Sequence, residues 1–94
     1  MERKEIEVFS ELSNFAIVRM PGRNFPGSVI QGDSLSILLK HAERVHQMAI
    51  GTGSLELIDE AALLRELLAE RLEYYEKVIT ASGFSLPYFR QRTI

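Results

Sequence analysis

The chain has 94 residues, of which 46% are apolar and 26% charged; this is ordinary globular usage and excludes a chain too polar to fold. It has no cysteine and two histidines, so disulfides, thiolate metal sites and thiol catalysis are excluded, and a histidine-built zinc site is disfavoured. A net charge of −2 opposes a dedicated nucleic-acid binder, whose affinity rests on neutralising phosphates.

The pattern reads as one α+β domain over 1–94, ordered β-β-β-α-α. A three-stranded antiparallel sheet is expected in 1–31, a helix in 34–50, a long helix in 55–82 and an aromatic tail in 83–94. No apolar segment follows Met1-Glu2-Arg3-Lys4-Glu5, so no signal peptide is expected. No run approaches the ~20 apolar residues that cross a bilayer. A cytoplasmic protein with no membrane contact, no metal and no cofactor is the expectation.

In chain order, residues 4–12 alternate. Ile6, Val8, Ser10 and Leu12 share one side, and Glu5, Glu7, Phe9 and Glu11 the other. A second strand covers 15–20. A three-residue loop at Leu12-Ser13-Asn14 pairs Ile6 with Met20, Val8 with Val18 and Ser10 with Ala16, and on the other face Glu7 with Arg19 and Phe9 with Ile17. Asn14 suits the left-handed position that such loops use. Pro21-Gly22 and Pro26-Gly27 each read as a type II turn, with Arg23, Asn24 and Phe25 held between them. A third strand, Ser28–Gln31, leads to Gly32-Asp33-Ser34, where Asp33 or Ser34 is expected to cap a helix.

That helix places Leu35, Leu38, Leu39, Ala42, Val45, His46, Ala49 and Ile50 on one face. Gly51-Thr52-Gly53 breaks it. Ser54 is expected to cap the next helix, and Gly83 to stop it with Phe84 packed back on Ile79. Leu55 to Ser82 makes ~42 Å of helix, against a diameter of roughly 32 Å for a compact domain of this length. The long helix also carries two apolar stripes. One runs through Leu57, Ala61, Leu64, Leu68, Leu72, Tyr75 and Ile79, the other through Leu63, Leu67, Tyr74 and Val78. The sheet and first helix read as self-sufficient and the long helix does not. A homodimer through Leu63, Leu67, Tyr74 and Val78 is therefore expected; the competing reading folds Phe84, Tyr88 and Phe89 back over the surplus.

No catalytic signature stands out. His46 on an apolar face reads as a core histidine bonded to a carbonyl or carboxylate, or else as a general base or pH-sensitive group in a pocket with Arg19 or Arg23. Arg23, Asn24 and Phe25 read as a recognition loop or as a strand connector with Phe25 in the core. Gly32-Asp33-Ser34 and Gly51-Thr52-Gly53-Ser54 open helices, where backbone amides hold anions in some proteins, but neither has phosphate-loop spacing. Glu66, Glu70 and Glu73, with Lys77 a turn beyond, form a solvated face or an acidic ridge aimed at a basic partner, as in an immunity or antitoxin-like inhibitor. Arg19, Arg23, Arg90 and Arg92 are the basic residues a nucleic-acid reading would use.

The stretch from Asn14 to Ser34, with Phe25-Pro26-Gly27-Ser28-Val29-Ile30-Gln31-Gly32-Asp33-Ser34, resembles a family of small bacterial proteins whose function is uncharacterised. The resemblance covers the first half of the chain and carries over no active-site residue or ligand. It implies a free-standing domain. The expected function is a non-enzymatic interaction module, homodimeric through the long helix, with another protein as a second partner.

Overall fold

The structure, a computed structural model, describes residues 1–11 and 14–89. β1 (Glu7–Ser10), β2 (Ile17–Arg19) and β3 (Gly27–Ser28) form an antiparallel sheet of order β1-β2-β3, followed by α1 (Gly32–Thr52) and α2 (Leu55–Ala81). The fold is α+β in the expected order.

Charge and shape set the first pairing. Glu7 lies opposite Arg19 and Val8 opposite Val18, as expected from the matching of an ion pair and two β-branched residues. Beyond Val8 the ladder departs from expectation: a bulge places Ser10, not Phe9, opposite Ile17. Ala16 is consequently not paired with Ser10, and its carbonyl accepts the N–H of Val29 at 2.9 Å. Of the expected loop, Leu12 and Ser13 lie outside the described residues.

The first Pro-Gly pair makes its turn. Gly22 has φ 81°, and the Arg23 N–H donates to the Met20 carbonyl at 3.1 Å, which closes a type II turn. The second does not. Gly27 has no positive φ and pairs with Val18 as part of β3, so pairing holds it extended where a turn was expected. β3 is accordingly Gly27–Ser28 rather than Ser28–Gln31.

α1 starts at Gly32, two residues before the expected start, with Gln31 at the cap position and no side-chain cap. Neither Asp33 nor Ser34 caps it; the Asp33 carboxylate accepts only the N–H of Ser34, at 2.8 Å. Gly51 and Thr52 remain helical and Gly53, at φ 71°, ends the helix. The Thr52 hydroxyl donates to the Ala49 carbonyl at 2.6 Å and accepts the Ser54 N–H at 3.2 Å, which tightens the corner. Ser54 caps α2 as expected, accepting the Leu57 N–H at 3.3 Å. At the far end Gly83 has φ 91°, the Gly83 N–H donates to Thr80 and the Phe84 N–H to Ile79, the paired bonds of a Schellman stop.

The core is the seam of a helical hairpin. Leu35, Leu39 and Leu72 are buried together, with Leu68, Ala69, Tyr75 and Tyr88 packed on them. Ala42, Ala49 and Ala61 are buried where small side chains let the helices close up. The sheet is not part of this core. Among the described residues close backbone contacts run from β1 to β2, β2 to β3 and α1 to α2, and Val18 of β2 is buried apart from the Leu35–Leu39–Leu72 cluster. This corrects the expectation of a self-sufficient sheet and first helix, because the apolar face of α1 is used on α2. The radius of gyration is 16.2 Å, against ~12 Å for a compact chain of this length.

Candidate functional site

α2 has more apolar surface than α1 covers. Its arc toward α1 contains Ile58, Ala61, Ala62, Arg65, Leu68, Ala69, Leu72, Tyr75 and Ile79, all buried or half-buried. The sequence assigned Leu57 and Leu64 to this arc, but both are exposed and lie to one side of it. Beside them lie the residues singled out for an interface, with Leu63 51%, Leu67 44%, Tyr74 71% and Val78 44% exposed. Glu60 and Arg71 interrupt this flank at its level.

α1 contributes to the same face. Its buried residues are Gly32, Leu35, Ser36, Leu39, Ala42 and Ala49, while Leu38 and Val45 are nearly half exposed. The helices are antiparallel, since Gly32 at the start of α1 meets Tyr75 late in α2, and His46 late in α1 meets Arg65. On a helical wheel, Leu38 and Val45 lie on the same rotational side of their contact arc as Leu64, Leu67 and Val78 do of theirs. Antiparallel packing turns equal rotational sides to one face. Leu38 and Val45 therefore extend the apolar flank of α2 onto α1, on the same face of the hairpin.

The tail does not cover it. Tyr88 packs on the Leu35–Leu39–Leu72 cluster and its hydroxyl donates to Glu76 at 2.6 Å, on the flank of α2 away from Leu64 and Val78. Phe84 and Phe89 are 68% and 93% exposed. The fold-back reading thus holds for Tyr88 alone, and on the other side of the hairpin. Arg90 and Arg92 lie outside the described residues.

His46 is half-buried, but its partner is neither a carbonyl nor a carboxylate. Its Nδ1 lies 3.3 Å from Arg65 Nη1, and since guanidinium groups only donate, Nδ1 is the acceptor. Sequence reasoning missed Arg65, whose signal is a cation one turn before Leu68 and Ala69 on the core arc. Arg19 and Arg23 are not brought to His46. Fourteen residues, ~21 Å of helix, separate it from the start of α1, where the sheet is attached. An open depression on α1 is lined by Lys40, Glu43, Arg44, Gln47 and Met48 and does not include His46.

On the sheet, Arg19 donates to both carboxylate oxygens of Glu7 at 2.7 and 2.6 Å, with its guanidinium 5.9 Å from the Phe9 ring centroid. Arg23, Asn24 and Phe25 are exposed, Phe25 at 83%, so Phe25 is not in the core. The helix starts offer little to an anion: the Ser34 N–H is taken by Asp33, that of Leu57 by Ser54, and Gly32 lies under the Tyr75 ring. Glu66, Glu70 and Glu73 are exposed, and Glu73 and Lys77 are not in ion-pair contact; the ion pairs among the described residues are Glu2–Lys4 and Glu7–Arg19. No group of three or more His, Asp or Glu side chains among the described residues is placed to hold a metal ion. No described helix is long and apolar enough to cross a membrane.

A model described as a family of unknown function, DUF6959, matches residues 1–88, from the sheet through α2 to Tyr88. The comparisons with curated proteins and with solved structures returned no match.

Proposed function

The chain belongs to the DUF6959 family, and we propose that it works as a non-enzymatic interaction module that pairs with a second copy of itself through the apolar face of its helical hairpin. The observation that carries this is the contrast between that face and the core. Seven apolar residues are buried among those described, three of them alanines. Leu38, Val45, Leu57, Leu64, Leu67 and Val78 are each about half exposed on one side of the hairpin. Completing the burial of such a side chain is worth about 1 kcal/mol, and a two-fold axis counts each one twice.

Such a module presents the Pro21–Gly27 loop as its recognition element. The Pro21-Gly22 turn fixes one end of that loop, β3 fixes the other, and Arg23, Asn24 and Phe25 face outward between them. Sedimentation or light scattering at micromolar concentration tests self-association. A dimer mass is expected for the natural sequence and a monomer mass for Leu67→Glu, which puts a charge into the face without touching the Leu35–Leu39–Leu72 cluster. A monomer for the natural sequence refutes the reading.

A further inference from the structure

On α2, Leu57, Glu60, Leu64, Leu67, Arg71 and Tyr74 recur at alternating intervals of three and four residues, the spacing of a coiled-coil seam. A parallel seam, through Ala61, Leu68, Leu72 and Tyr75, is occupied by α1. The free seam is apolar at four of the six positions and charged at two, with opposite signs. Neither charged residue has an ion-pair partner among the described residues; Arg71 only folds back to donate to the Leu67 carbonyl at 2.8 Å.

Those two charges select an arrangement. In a parallel, in-register dimer Glu60 faces its own copy and so does Arg71, which sets two like-charge contacts in the seam. In an antiparallel dimer the two kinds of seam position alternate across the interface, and allowed registers differ by seven residues. One register sets Glu60 against the partner's Arg71, and by symmetry Arg71 against the partner's Glu60. The same register sets Leu64 against the partner's Leu67 and Leu57 against the partner's Tyr74, so every apolar position of the six meets an apolar one. Shifting by one heptad in either direction puts a charge on a leucine or a valine, a buried charge without a partner.

Resting on the self-association proposed above, we propose that the dimer is antiparallel through α2, with its register fixed by two symmetric Glu60–Arg71 ion pairs. The two-fold axis passes between Arg65 and Glu66. Leu38 and Val45 close over the seam from each α1, giving a four-helix bundle made of two hairpins. A second copy matches both the three-four spacing and this pair of charges, because it presents the same seam in reverse.

Charge exchange tests it. Glu60→Arg and Arg71→Glu are each expected to weaken dimerisation about tenfold or more, and the double variant E60R/R71E to restore the affinity to within about threefold. Because the chain lacks cysteine, Lys77→Cys accepts a single spin label. The two labels of a dimer are expected about 35 Å apart in this register and on the order of 10 Å apart in a parallel one, at 1.5 Å per residue. A dimer with the short distance, or a double variant no tighter than the singles, overturns the register and leaves self-association standing. A natural sequence that stays monomeric overturns both.

Discussion

At Gly32 the Tyr75 side chain lies directly against the backbone of α1. A Cβ there would fall within the Tyr75 ring, and that ring is itself packed on Leu35, Leu39 and Leu72. Gly32→Ala should therefore destabilise the fold by about 1–3 kcal/mol through overpacking, despite alanine's better helix propensity. Thermal melts at matched concentration would read this as a lower Tm. The Tyr88 hydroxyl, bonded to Glu76, ties the tail to α2. Removing it as Tyr88→Phe should cost about 1–2 kcal/mol and speed amide exchange from Leu86 to Phe89, while Arg65–His46 and the Ser54 cap are unaffected. At this scale part of the site is legible in the residues. His46 was recognisable as an odd polar residue on an apolar face, but its partner was not, because Arg65 belongs to another helix and only packing chooses among the cations there.

Helix caps show what was readable at the level of elements. Ser54 follows a glycine that stops one helix and accepts a bond from the third residue of the next. Ser54→Ala should cost about 1 kcal/mol in urea titration. Asp33 looks the same in sequence, yet its carboxylate bonds only its neighbour, so Asp33→Ala should move stability by less than about 0.5 kcal/mol. α1 begins one residue before Asp33, at Gly32, so Asp33 lies inside the helix and not at its cap. In the sheet, the Glu7–Arg19 and Val8–Val18 pairs were legible because charge and shape both chose them. The bulge that follows was not, since it depends on Ala16 turning its carbonyl to Val29 in a strand too short to announce itself. On α2 the presence of two apolar stripes was visible. Which residues faced α1 was not: Leu57 and Leu64 yielded to Ile58, Ala62 and Ala69, the two alanines sitting where close helix packing favours small residues.

The whole molecule measures 49 × 31 × 22 Å, an elongated body for its mass. If folding and association are coupled, as the small core implies, the Tm should rise with protein concentration, by mass action. Calorimetry across a hundredfold dilution would read it, and a concentration-independent Tm would contradict it. Arg23→Ala/Phe25→Ala, by contrast, should leave both the mass and the Tm as they are, because both side chains are exposed and neither touches the hairpin. Any loss of a binding partner in that variant would then report on recognition and not on folding.

The separation of sheet from helices has a kinetic consequence. Each element pairs with its neighbour in sequence, β1 with β2, β2 with β3, α1 with α2, so the sheet and the helical hairpin can each form without waiting for the other. Hairpins built from neighbouring elements form in microseconds to milliseconds. If two chains associate as proposed above, their meeting is the late step, and refolding should pass from a fast, concentration-independent phase to a slower one whose rate scales with the amount of protein present.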